Sequence, residues 1–283
     1  MLEIQGYAGD PIHSLCDWEK YAMPPDRKLK HWKEGRSACE LGRIWTANGE
    51  PAVPTVLAEL LNSRDATRGT VIRSGITEHE TPLPPSGSHG PRCHDLALLA
   101  AQGQSAVTIC IEAKADEPFG ATVADELRKA DKRPRTKFRE RLDWLTRSLL
   151  GLSAFKGEDR NSVSDEIRNL PYQLLTATAG TLLEAELRHS TKAILVIHEF
   201  RTPDDQKMER NASELNRFVR LLLQQNGAAE EKFQPRCGQL IGPLPLLERS
   251  VGRSRKLPYQ IPFFVGKIRT DRSGVSTEAS VVQ

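Results

Sequence analysis

Apolar positions recur at helical spacing in several stretches of the chain. Ala38, Leu41 and Trp45 follow Ser37, and Val56–Leu61 follows Thr55, which predicts two early helices. Phe138, Leu142, Leu145 and Leu149 sit at i, i+4, i+7 and i+11, with Gly151 as a stop. Pro171–Leu187 predicts a helix with Pro in its first turn and a small-residue middle, Ala177 to Thr181. Met208–Leu223 is amphipathic. Thr70–Ile76, His94–Gln102, Ala106–Ala115, Lys192–Phe200 and Ile261–Arg269 read as strands. Thr81–Arg92 and Gly157–Ser164 read as loops, and Gln234–Pro258, broken by Pro, Gly and basic residues, as irregular. The first thirty residues and the tail after Arg269 carry no usable pattern. The order of helix, three strands, helix and strand predicts an α/β fold.

At 283 residues, 38% hydrophobic and 27% charged, the chain has the size and composition of a soluble globular protein, read here as one domain. Its longest aliphatic run, Ala193–Ile197, is far short of the roughly 20 residues of a membrane helix. Glu3 and the lack of an early apolar run argue against a secretory signal. Five scattered cysteines form no CxxC pair, which argues for a reducing, cytoplasmic location and against a zinc ribbon. A net charge of +3 means that any case for a polyanion partner rests on where the charges lie.

One segment departs from apolar strand composition. Glu112 and Lys114 are two apart, so on a strand they share a face, opposite Val107, Ile109 and Ile111. A carboxylate and an ammonium on such a strand are costly unless paired or bound. If Gly103–Gln104 is a two-residue type II′ turn, Asp95 falls directly across from Glu112, with β-carbons about 5 Å apart. Two facing carboxylates repel unless a cation lies between them. Mg²⁺, which takes hard oxygen ligands and keeps its waters, suits that position, and Lys114 beside it suits water activation or phosphate charge. The competing reading is an ion pair at a strand end in a purely structural protein.

The D…E-x-K hairpin resembles the PD-(D/E)XK nuclease superfamily. The surrounding text, HDLALLAAQGQSAVTICIEAKADEPFG and later PYQLLTATAGTLLEAEL before KAILVIHEF, resembles an uncharacterised bacterial family within it. The resemblance implies a restriction-endonuclease-like αβββαβ core over about residues 32–200. It also implies a mixed central sheet flanked by helices, with added helices and a C-terminal strand in an extension over 201–283. It implies a Mg²⁺-dependent nuclease, with Mn²⁺ as substitute and DNA as the expected nucleic acid. Asp95, Glu112 and the main-chain carbonyl of Ala113 would hold the metal, and Lys114 would be the catalytic lysine. Glu40, on the first core helix, would supply a further carboxylate, and Gln173 would sit on the helix after the E-x-K strand. A homodimer is among the assemblies it implies, because two strands need two sites. His94 stands where the motif often has Pro. The alternative is a non-catalytic nucleic-acid- or partner-binding module that keeps the core.

Cheaper copies of these motifs occur elsewhere. Glu230-Glu231-Lys232 lies in a polar helix end or loop, Pro25-Asp26-Arg27-Lys28 reads as a solvated loop, and Pro203-Asp204-Asp205-Gln206-Lys207 as the start of the helix to Leu223. His94 and His198 read as satisfied or partly exposed histidines, and Cys110 as a buried thiol. Lys129–Arg141 holds seven basic residues (Lys129, Lys132, Arg133, Arg135, Lys137, Arg139, Arg141) against two acidic ones, so it is a candidate phosphate-backbone contact or a solvated helix start. Arg249, Arg253, Arg255 and Lys256 form a second basic patch.

Overall fold

A computed structural model of the chain describes residues 2–85, 90–115, 117–132, 137–156, 159–201, 205–228, 235–249 and 255–271. The strands are β1 (Glu3–Gln5), β2 (Pro11–Ile12), β3 (Val71–Thr81), β4 (Arg92–Gln102), β5 (Ser105–Lys114), β6 (Phe155–Lys156), β7 (Asp159–Val163), β8 (Lys192–Phe200), β9 (Leu240–Leu244) and β10 (Phe263–Thr270). The helices are α1 (Leu15–Tyr21), α2 (Pro25–His31), α3 (Ser37–Trp45), α4 (Thr55–Asn62), α5 (Val123–Asp131), α6 (Phe138–Leu150), α7 (Asp165–Arg168), α8 (Tyr172–Leu187) and α9 (Asp205–Gln225). Eight strands form one mixed sheet in the order β2-β1-β3-β4-β5-β8-β10-β9, and β6 and β7 pair separately. β3, β4 and β5 are an antiparallel meander, and β8 lies parallel to β5.

Helices cover both sheet faces. On one, Trp18, Leu41, Trp45, Leu57 and Leu60 pack against Leu96, Leu98, Val107, Ile109 and Ile111. On the other, α5, α6, α8 and α9 bring Leu127, Leu145, Leu182 and Phe218 against Leu195, Ile197 and Val265. This arrangement explains why β8 reads as a continuous apolar run. Ala193, Leu195 and Ile197 face one cluster while Ile194 and Val196 face the other, so the Ala193–Ile197 stretch is apolar on both faces, and the polar His198 and Glu199 follow at its end. α8 is likewise buried from Leu174 to Ala185, small or apolar apart from Glu184, as suits a helix in the middle of a layer.

The hairpin follows its predicted register. Pairing runs from Gln102↔Ser105 to Leu96↔Ile111, and Gly103 has φ 59°, the left-handed value that the first position of a type II′ turn requires. Gly151 ends α6 in the same region with φ 67°. Other expectations are corrected. Gln234–Pro258 contains β9, and Gly157–Ser164 contains β7. Pro25–Lys28 opens α2, with Pro25 in its first turn, where a missing N–H costs nothing. Within Lys129–Arg141, Lys129 lies in the last turn of α5 and Arg139 and Arg141 in the first turns of α6. The helix start read at Pro203–Lys207 is met where it is described: Pro203 and Asp204 lie outside the described residues, and α9 runs from Asp205 past Leu223 to Gln225. Glu230–Lys232 also lie outside them. Among the described residues, no helix is long and apolar enough to cross a membrane.

Candidate active site

Strands β3 and β4 change faces together. Thr77 donates its hydroxyl to the Ala22 carbonyl at 2.8 Å on the α1 side, whereas His79 Nε2 lies 2.7 Å from Glu184 on α8. Leu96 packs on the α1 and α3 side, whereas Arg92 and His94 lie against Gly180 of α8. Residues two apart on one strand normally share a face, so each strand reverses at the residue between. Those residues are Glu78, whose φ of 46° is left-handed, and Asp95; the flanking pairs Thr77↔Leu96 and His79↔His94 place them opposite each other.

The reversal corrects the expected facing of Asp95 and Glu112. The β4–β5 ladder stops at Leu96↔Ile111, and Asp95 Oδ2 accepts from the Ala113 N–H at 2.6 Å. Repulsion is relieved differently from the expectation as well. Arg92, carried onto the face of Glu112 by the reversal, donates through Nη2 to Glu112 Oε2, and Lys114 Nζ pairs with Oε1. Gln173 Nε2 donates to the same Oε1 at 2.5 Å. Glu112 is 1% exposed, so its charge needs these partners. Burial lowers the Lys114 ammonium to about 8, with Asp95 opposing the shift and Arg92 adding to it. Its Nζ also stands 5.6 Å over the Phe119 ring.

A cavity of about 420 Å³ opens beside this group, with Asp95, Arg92, Gln173, Glu78, Glu126 and Tyr172 among its walls. Glu112 and Lys114 reach it through Arg92 and Gln173, not directly. Glu78 accepts from the Cys93 thiol at 3.2 Å and from Arg27 at 3.4 Å. Burial and the charge of Asp95 raise its carboxyl to about 7. Neither Glu78 nor Arg92 stood out in sequence. Arg92 closed a stretch rich in Pro and Gly, and Glu78 lies past the β-branched run in a polar T-E-H-E segment.

Of the expected residues, Asp95, Glu112, Lys114 and Gln173 come together. Glu40 does not join them. It is 2% exposed and bound by the Gly35 N–H at 2.9 Å and by Arg43 at 3.3 Å. Glu117 approaches instead, capping Ala115 and Ser37 N–H groups at 3.0 and 3.2 Å and raising the Lys114 pKa. In the basic segment, Lys129 pairs with Glu126 at 2.7 Å and Arg139 with Asp131 at 2.5 Å. Arg141 is buried and donates to the carbonyls of Leu83 and Gly90 at 2.9 and 2.7 Å. Lys132 and Lys137 are exposed, and Arg133 and Arg135 lie outside the described residues. In the second patch Arg255 pairs with Glu186 and Lys256 with Glu248, and Arg253 lies outside the described residues.

Of the two histidines, His198 is satisfied as expected and His94 is not. His94 is fully buried, neither ring nitrogen has a partner among the described residues, and burial holds it far below its usual pKa. His198 is fully buried, held by Thr270 Oγ1 at 2.7 Å. Cys110 is buried as expected. Beside His94, Glu184 accepts from Thr81 at 2.7 Å and pairs with His79 and Arg188. Burial alone would raise Glu184, but these bonds hold it at about 2.

Two carboxylates with room for water suit a Mg²⁺ ion, which is commonly held by one or two carboxylates and the substrate phosphate. Asp95 and Glu112 supply that donor chemistry, on the condition that Arg92 yields an oxygen of Glu112. No group of three or more His, Cys, Asp and Glu side chains that could hold a metal converges among the described residues. Comparison with curated proteins and with solved structures gives no match. A family profile described as Domain of unknown function (DUF6946) matches residues 11–272. Covering nearly the whole chain, that match shows that the protein belongs to the DUF6946 family.

Proposed function

We infer that the protein is a Mg²⁺-dependent phosphodiester hydrolase acting on nucleic acid, with DNA as the expected substrate. The observation that carries this reading is the convergence of Asp95, Glu112, Lys114 and Gln173 at one end of β4 and β5, beside a cavity wide enough for a phosphodiester. The order α3, α4, β3-β4-β5 meander, α8 and parallel β8 supports it by its likeness to the αβββαβ order that the resemblance implies, with α5, α6, β6, β7 and α7 lying between β5 and α8.

Asp95 and Glu112 would hold the metal, which would supply Lewis-acid polarisation of a phosphate oxygen and a more acidic water. Lys114, held near neutrality at about 8, can take a proton from water as the free amine or steady phosphate charge as the ammonium. Gln173 orients Glu112 from the helix N-terminus. Exposed Lys132 and Lys137, at the ends of α5 and α6, helices that give Glu126 and Arg141 to the cavity wall, would be the phosphate-backbone contacts in this reading. A second reading, a binding module without turnover, draws on the pairing of Glu112 with Arg92, which satisfies the carboxylate without metal.

The test is cleavage of plasmid, linear duplex, single-stranded DNA and RNA with Mg²⁺, Mn²⁺ or EDTA, by the wild type and Lys114→Ala. Metal-dependent cleavage that falls at least about a hundredfold in the variant is expected. No cleavage, with no Mn²⁺-induced rise in melting temperature, would overturn the enzyme reading in favour of the binding module.

A further inference from the structure

Arg92 is held in place by more than its ion pair. It is 8% exposed, and its aliphatic stem fills a notch in α8 at Gly180. A β-carbon at Gly180 would lie 2.7 Å from Arg92 Cγ and 3.1 Å from its Cβ. Packing therefore aims the guanidinium at Glu112 Oε2, while Arg92 also lines the cavity and its buried Nε has no partner among the described residues. The guanidinium thus touches a carboxylate oxygen that a divalent cation would use, and it borders the space a phosphodiester would enter. A buried cation that releases Glu112 needs another anion nearby. A planar guanidinium is suited to a phosphate oxygen.

Resting on the metal-site reading above, we propose that Arg92 is the resident counter-ion of Glu112: it competes with the divalent cation for the carboxylate and transfers to the phosphodiester when one enters. Cation and phosphodiester binding are then coupled. Each is weak alone, and each strengthens the other by the same factor. Arg92 is a positioning residue for the metal and a contact for the phosphate.

The test is calorimetric titration with Mn²⁺, with and without dimethyl phosphate as the diester probe. The proteins are wild type, Arg92→Gln, Arg92→Lys and Glu112→Gln, with circular dichroism checking the fold. The expected result is Mn²⁺ binding about tenfold tighter in Arg92→Gln, the size of one charge-assisted hydrogen bond that no longer has to break. Arg92→Lys keeps the competing charge and stays near the wild type. Dimethyl phosphate tightens Mn²⁺ binding several-fold in the wild type and not in Arg92→Gln. Binding that is lost in Glu112→Gln but unchanged or weaker in a folded Arg92→Gln would overturn the role of Arg92 and leave the metal site standing. Mn²⁺ binding to neither wild type nor Arg92→Gln would overturn both. Should Arg92→Gln fail to fold, the dimethyl phosphate effect on the wild type decides: no tightening overturns the proposal.

Discussion

Gly180→Ala sets two known effects against each other at one atom. Gly in a helix interior costs about 1 kcal/mol relative to Ala, so the substitution on propensity alone stabilises α8 by that amount. The new β-carbon, however, would sit 2.7 Å from Arg92 Cγ and 3.1 Å from both Arg92 Cβ and His94 Nε2. These are the inner atoms of one side chain and the ring of a fully buried one, not flexible ends. Forcing a methyl into a filled core costs about 1–3 kcal/mol. The expected balance is a net loss of roughly 1 kcal/mol, or about 2–4 °C in melting temperature for a chain of this size. Urea denaturation of the two proteins, read as a shift in midpoint at constant slope, measures it. A variant more stable than the wild type by the full propensity gain would show that the notch at Gly180 is not occupied by Arg92 and His94 as described.

Two pH profiles test the buried carboxylates with opposite signs. Glu184 is depressed on folding from 4.5 to about 2, so it stabilises the protein by roughly 3 kcal/mol above pH 4.5, a contribution lost as pH falls towards 2. Glu184→Gln lacks that term, and a wild-type-to-variant difference that stays constant from pH 3 to 7 in urea titrations would count against it. Glu78 is raised on folding to about 7, so its contribution is most favourable below pH 4.5 and fades as pH rises through 7. Glu78→Gln should gain on the order of 3 kcal/mol at pH 8 and almost nothing at pH 4. Equal gains at the two pH values would refute the burial argument.

The register of the hairpin was legible because a two-residue turn and a period of two leave no freedom between Gly103 and Leu96. It ceased to be legible at Asp95, because the reversal there is shared with Glu78 on another strand and accommodated by Gly180 on a distant helix. Nothing local encodes it. Arg92 escaped notice for the same reason: its role depends on which face it lands on. Gln173 was accessible through the resemblance, which located it on the helix after the E-x-K strand, while its bond to Glu112 is a tertiary fact. Glu40 looked suitable on a helix flank, but Gly35 and Arg43 already hold it. β1, β2 and β9 are too short, or too interrupted by Gly and Pro, to declare themselves, and they form because a neighbouring strand offers a ladder.

The two outermost strands of the sheet both carry proline. β2 is two residues long with exposed Pro11, and β9 carries exposed Pro243 and pairs with β10 through an irregular register. Short length, a missing N–H and a bulge each spoil an edge as a template for another strand. Neither outermost strand therefore presents a long, regular row of free N–H and C=O groups to a further strand. A strand approaching the eight-stranded sheet at β2 or β9 would find few backbone groups in register to pair with.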